Sequence, residues 1–157
     1  MASLPPAPLA TAKTGPLRCD RLPADMTGPA SCLTADGGRF EGDVANGLPN
    51  GQGVQRLANG DRYEGGFVAG KRSGRGTYVY AGGGRYTGEF LDGVRHGSGT
   101  MVFTDGSRFE GEYKANLPNG YGQSRSTHGT YTGYWVNGCL RQGLEKIAVD
   151  TDLAKCR

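Results

Sequence analysis

Tyr86-Thr87-Gly88-Glu89-Phe90-Leu91-Asp92-Gly93-Val94-Arg95-His96-Gly97-Ser98-Gly99-Thr100-Met101-Val102-Phe103-Thr104-Asp105-Gly106-Ser107-Arg108 decides the fold, because its plan recurs on both sides. An aromatic opens the unit, Gly stands two residues on, and a second large apolar residue two further. A Gly turn, a Gly-x-Gly pair, an alternating run, a second Gly turn and an Arg complete it. The opening aromatics Phe40, Tyr63, Tyr86 and Phe109 are 23 residues apart, and Tyr131 follows one residue early. A fixed period of roughly 20–50 residues is the signature of a repeat array.

Spacing of two places Tyr86, Gly88 and Phe90 on one face of a strand, and the same holds for Tyr63-Gly65-Phe67 and Phe109-Gly111-Tyr113. The outer triplets are Phe40-Gly42-Val44 and Tyr131-Gly133-Trp135. A Gly inside a strand signals close approach of another group, here rings lying over the backbone. Asn46-Gly47, Asp92-Gly93 and Asn137-Gly138 are left-handed turn dipeptides, and Gly70 and Asn116 fill that slot elsewhere. Each unit therefore reads as a β-hairpin. The predicted fold is all-β: a single elongated, twisted antiparallel sheet of about five stacked hairpins.

Working outward, residues 1–18 read as a flexible Ala/Pro-rich tail and 19–39 as a cap with a partial repeat. Full repeats span 40–62, 63–85, 86–108 and 109–130. A partial fifth covers 131–143, and 144–157 forms a C-terminal cap.

Gly accounts for 29 of 157 residues, far above the roughly 7% of average proteins. The collagen triplet is absent. No apolar run approaches the roughly 18 residues of a membrane helix. Net charge is +3 with the signs interleaved, which argues against a nucleic-acid partner. Arg39, Arg62, Arg85 and Arg108 precede the opening aromatics, with Glu41, Glu64, Glu89, Glu110 and Glu112 on the same face. The expected arrangement is a ladder of cross-strand ion pairs.

With these residues assembled, the chain resembles the MORN (membrane occupation and recognition nexus) repeat family. Tyr63-Glu64-Gly65, Tyr86-Thr87-Gly88-Glu89-Phe90, Phe109-Glu110-Gly111-Glu112-Tyr113 and the Gly-x-Gly pairs carry the resemblance. It implies an elongated twisted sheet that serves as a scaffold or interaction module, with lipid contact as a further proposed role.

Catalysis finds no residue set: His96 and His128 lie in turns of different units. Gly82-Gly83-Gly84 lacks the Lys-Ser/Thr and helix of a phosphate loop. The expectation is a non-enzyme without cofactor or metal. The stripe Tyr63, Phe67, Tyr78, Tyr80, Tyr86, Phe90, Met101, Phe103, Phe109 and Tyr113 is the expected packing layer, and where it stays open a surface for a protein partner. Two alternatives stand beside it. Lys71, Arg72, Arg75 and Arg95 would contact anionic lipid headgroups, or the rings would stack on a glycan. The oligomeric state is open, a dimer included.

The cysteines Cys19, Cys32, Cys139 and Cys156 flank the regular units. Because a rod-like array holds its ends apart, the favoured pairing is Cys19–Cys32 with Cys139–Cys156. Each bridge would close an end of an open sheet. Paired cysteines and a removed signal would place the chain outside the cytoplasm, periplasmic or secreted; four free thiols would place it in the cytoplasm. Intact mass of protein from its native source, with and without reductant, checks this. The expected outcome is the gain of four hydrogens on reduction, and no change would return the cysteines to free thiols.

Overall fold

The structure, a computed structural model, describes residues 11–12 and 15–156, with side chains from Leu17 onward. Two short strands, β1 (Thr11–Ala12) and β2 (Gly15–Pro16), pair with each other. Ten strands then form one antiparallel meander in chain order: β3 (Gly28–Leu33), β4 (Arg39–Ala45), β5 (Leu48–Arg56), β6 (Arg62–Val68), β7 (Lys71–Val79), β8 (Arg85–Leu91), β9 (Val94–Val102), β10 (Arg108–Lys114), β11 (Leu117–Ser126) and β12 (Gly129–Trp135). A separate hairpin follows, β13 (Cys139–Gln142) with β14 (Glu145–Ala148). Nine inter-strand steps of about 4.8 Å make the sheet at most roughly 43 Å across.

The period fixes the packing through two glycines. In each full repeat the second Gly of the Gly-x-Gly pair lies under the opening ring. A Cβ at Gly76 would stand 2.5 Å from Tyr63 Cε2, and one at Gly53 2.5 Å from Phe40 Cε2. Gly99 and Gly122 lie equally close under Tyr86 and Phe109. The first Gly of each pair sits in a register shift that recurs opposite Gly42/Val44, Gly65/Phe67, Gly88/Phe90 and Gly111/Tyr113. There φ is positive, at 110° for Gly51 and 114° for Gly120, which an L side chain adopts only with strain.

The rings above these glycines form an unbroken edge-to-face ladder. Phe40 meets Phe67, Phe67 meets Tyr63, Tyr63 meets Phe90, and Phe90 meets Tyr86, with centroids 5.0–5.2 Å apart. Tyr86 then meets Tyr113, Tyr113 meets Phe109, and Phe109 meets Trp135, at 5.2–5.5 Å. Each such contact contributes about 0.5–1.5 kcal/mol beyond burial. The tyrosines also anchor to the backbone: Tyr63 OH donates to Gly66 O and Tyr86 OH to Glu89 O, both at 2.8 Å. The indole Nε1 of Trp135 donates to Gly122 O at 3.0 Å.

The hairpin turns tie one repeat to the next. The backbone carbonyls of Met26, Pro49, Arg72, Arg95 and Pro118 accept the N–H groups of Gly47, Gly70, Gly93, Asn116 and Gly138 at 2.8–3.2 Å. Both central residues of each turn are left-handed, including Ala69 (φ 49°) and Ala115 (φ 50°). For alanine that conformation costs roughly 1–2 kcal/mol, which the stacked turns sustain.

Both open edges of the sheet are covered by the cysteine-bearing ends. Cys19 bonds Cys32 on edge strand β3, with Cα atoms 5.0 Å apart, and Cys139 bonds Cys156 beyond β12, at 5.5 Å. Leu33 N–H donates to Leu17 O at 2.8 Å, and Arg18 bridges Leu33 in parallel. Leu17 and Arg18 thus belong to the sheet edge rather than to the tail that composition assigns them. The rest of that expected tail, at 1–10, 13 and 14, lies outside the described residues.

One expectation is corrected. Within these Arg and Glu rows the ion pairs run along strands, Arg62 with Glu64 at 2.9 Å and Arg108 with Glu110 at 3.8 Å. Across strands, Arg56 stands between Arg39 and Arg62, and Arg125 stands opposite Arg108. The hairpin register sets each repeat's Arg between the end of the preceding run and the end of its own, opposite Leu33, Arg56, Val79, Val102 or Arg125 rather than a Glu. At the C-terminus a short 3-10 turn, Leu153–Lys155, follows Asp152 as N-cap residue, without a side-chain cap bond.

Gly76→Ala tests the ring-over-glycine contact. Its methyl must displace Tyr63 or the backbone, so stability should fall by about 1–3 kcal/mol in denaturant unfolding. Gly82→Ala, where nothing lies within 4 Å, should stay within about 0.5 kcal/mol.

Candidate functional site

Eight residues of the predicted stripe are buried: Tyr63, Phe67, Tyr78, Tyr86, Phe90, Met101, Phe109 and Tyr113. They form the packing layer and leave no ring open to a partner. Tyr80 and Phe103 are half-buried and pack at its margin. They stand at the second turn of successive repeats, 23 residues apart.

The four predicted headgroup contacts separate into two kinds. Lys71 and Arg75 are exposed. Arg72 and Arg95 are half-buried and turned onto the rings. The Arg72 guanidinium lies 5.1 Å from the Tyr78 centroid and 5.7 Å from that of Tyr63. Arg95 lies 5.2 Å from Tyr113 and 5.8 Å from Tyr86. The reason is positional: they stand in the slot that Pro49 and Pro118 fill in the outer repeats, opposite Phe67 and Phe90 on the ring face. Their stems complete the apolar layer while the cationic heads rest on ring faces.

Arg95 has a partner that periodicity does not reveal. Its Nη1 donates to Asp150 Oδ2 at 3.2 Å, its Nη2 to Asn116 O at 2.7 Å, and its Nε to Asn116 Oδ1 at 3.4 Å. Tyr113 OH donates to the same Asp150 oxygen at 3.4 Å. The Asp150 backbone is exposed, but only 15% of its side chain is. Burial pushes the Asp150 carboxyl above the usual carboxylate range, with Arg95 and the Tyr113 hydroxyl opposing. The neighbouring Val149 is buried, and its N–H donates to Gly138 O at 2.8 Å. The segment after β14 is thus a bend, left-handed at Asp150 (φ 61°), bound on the ring face by one apolar and one acidic side chain.

Between that segment and the sheet lies a cleft of 940 Å³. Phe103, Tyr131, Ile147 and Leu153 give it apolar walls, and Ser124, Ser126, Arg108 and His128 give it polar ones. A trough of 290 Å³ lined by Tyr80, Met101 and Phe103 adjoins it at Phe103 and Asp150. The larger space is within the usual size of a ligand site. His128 supplies the one imidazole among its lining residues; Ser126 Oγ accepts from the His128 backbone N–H at 3.2 Å, and the His128 ring makes no hydrogen bond to a serine or cysteine among the described residues. No group of acidic, His or Cys side chains among the described residues could hold a metal ion. Among the described residues no helix is long and apolar enough to cross a membrane.

A MORN repeat model matches residues 40–62, 63–85, 86–108 and 109–127. The chain belongs to the MORN repeat family. That family is generally non-catalytic and consistent with a repeat scaffold or binding role. A search of curated proteins returns no match. The strand of the fifth MORN-like unit, β12, joins the sheet although the family match ends at residue 127.

Sequence reasoning passed over Asp150, Ile147 and Tyr131 as site residues. Asp150 has no counterpart at the repeat interval, so no periodic signal marks it. It also passed over Tyr121 and Tyr134, whose exposed rings pair across β11 and β12 with centroids 5.4 Å apart. Their face was assigned to charge.

The ring face carries an alkaline signature. Burial raises the phenols of Tyr63, Tyr78 and Tyr86 to about 12, and for Tyr78 the bond to Asp61 at 2.6 Å adds to it. In the unfolded chain they ionise near 10. Between those values the folded state holds more protons, so stability is complete below about pH 10 and falls as pH rises towards 12. Denaturant midpoints across that range check it; an unchanged midpoint would mean that the phenols reach water.

Proposed function

We propose that this chain is a non-catalytic scaffold whose ring face binds a segment of a protein partner. One observation carries the reading: the protein's own C-terminal segment is held on that face by Val149 in an apolar site and Asp150 on Arg95. A surface that holds a valine and an aspartate of its own chain in cis has the chemistry to hold such side chains in trans. The cleft beside it is lined by apolar residues and hydroxyls, the mixture peptide recognition uses. The two disulfides fit an oxidising compartment, and we assign the protein to the extracytoplasmic space.

Anionic lipid is a second reading, and one observation favours it. Arg39, Arg56 and Arg62 face one another on three adjacent strands, and like charges directly opposed are unfavourable unless an anion lies between them. Its original basis is narrower, since Arg72 and Arg95 are engaged with rings.

The full chain, immobilised and cross-linked to extract from its native source, should capture a discrete protein. Phe103→Ala and Ile147→Ala, both on the cleft wall, should lower capture by about tenfold or more, equivalent to about 1.4 kcal/mol. No captured protein, or capture indifferent to both substitutions, would overturn the reading. Sedimentation with anionic vesicles, lost at high salt and in Arg56→Ala, would establish the lipid alternative in its place.

A further inference from the structure

Arg72 and Arg95 occupy the same position in successive repeats, and the structure poses them alike up to a point. Each lays its guanidinium on two or three rings, and each donates from Nη2 to a main-chain oxygen of the next turn. For Arg72 that acceptor is Gly93 O at 3.1 Å, and for Arg95 it is Asn116 O at 2.7 Å. Beyond that the two differ. Arg95 has the Asp150 carboxylate and the Asn116 amide. Gly93 stands where Asn116 would be, and no acidic side chain among the described residues lies within ion-pair distance of Arg72. Asp61 acts on Arg72 electrostatically, but its oxygens accept Tyr78 OH at 2.6 Å and Ala81 N–H at 2.8 Å.

A guanidinium presents five N–H donors in a planar fork shaped for a carboxylate. Arg72 is half-buried; its Nη2 donates to Gly93 O and its guanidinium also lies against the Tyr78 hydroxyl, but it has no carboxylate, on a face where its twin has one. Ring faces stabilise the cation but leave its in-plane donors free. We propose that Arg72 is a carboxylate receptor, taking an Asp or Glu side chain of an acidic segment of a protein partner as Arg95 takes Asp150. The proposal rests on the protein-binding reading above and names the chemistry that would recognise the partner. Arg72 lies two strands from Arg95, about 10 Å away, with Tyr80 and Met101 lining the trough beside Asp150. A partner segment would therefore continue along the face where the protein's own segment stops.

Arg72→Pro is the discriminating variant. Pro49 and Pro118 already occupy this slot, opposite Val44 and Tyr113, so the backbone there tolerates a residue without an N–H. Should it melt early, Arg72→Gln keeps a stem over the rings and serves in its place. The probe is a blocked peptide with the sequence of residues 147–152, compared with its D150N/D152N form, added to full-length protein. The readout is the side-chain Nε–Hε NMR signal of Arg72, assigned by its loss in the variant.

The expected result is a saturable shift of that signal with the acidic peptide. Affinity should fall by about tenfold or more with the amide form and in Arg72→Pro. An unmoved Arg72 signal, equal shifts with both peptides, or peptide binding that survives Arg72→Pro would overturn it. Capture of the native partner separates the two claims. Capture retained in Arg72→Pro sinks the carboxylate site and leaves the protein reading standing. A positive peptide result with no protein captured by wild type keeps Arg72 as a carboxylate receptor and retires the protein reading.

Discussion

The whole array depends on a ring lying flat against a glycine. Each opening aromatic covers the second glycine of its Gly-x-Gly pair at a distance that excludes even a methyl group. That contact brings the ring low enough for the next repeat's ring to meet it edge-on, and the ladder from Phe40 to Trp135 follows. A single-layer sheet ordinarily leaves one apolar face to water. Here the rings cover one another, so a chain with 36% hydrophobic residues still buries a continuous core. Since no repeat can complete this cover alone, stability is a property of the stack.

The same constraint explains the two central arginines. Where the outer repeats close the ring face with Pro49 and Pro118, the middle ones use Arg72 and Arg95. A guanidinium on aromatic faces covers apolar surface and keeps a charge beside it. That charge is then available to hold something. Asp150 takes that role at Arg95, and in doing so it brings the C-terminal segment across the sheet and creates the cleft under it. The binding surface is therefore made by the irregular end of the chain acting on the regular middle.

The ends answer a different requirement. An open ten-stranded sheet exposes two rows of backbone donors and acceptors, which invite pairing with other chains. Leu17 and Arg18 lie along β3 at one edge, and Gln142 donates to Thr132 O at the other. A disulfide fixes each arrangement. By the chain-entropy argument, loops of this size contribute up to about 3 kcal/mol each. This cover is local, and the regular repeats between the two bridges need none.

The sequence by itself determined the repeat length, the strands, the turns and the apolar stripe, and it favoured the disulfide pairing because a rod holds its ends apart. The repeat elements follow from short-range rules: alternation for strands, left-handed dipeptides for turns, and glycine where a ring must approach. It did not determine which rings stay open, nor that two basic residues on the hairpins would turn inward. Those depend on neighbours 20 or more residues away, and sequence spacing holds no record of side-chain direction. Only the tertiary structure decided that Asp150 meets Arg95. The segment carrying it obeys no period, and its place is set by where the last hairpin and the Cys139–Cys156 bridge leave the chain. The fold was legible because it repeats, and the candidate site was hidden because it lies where the chain does not.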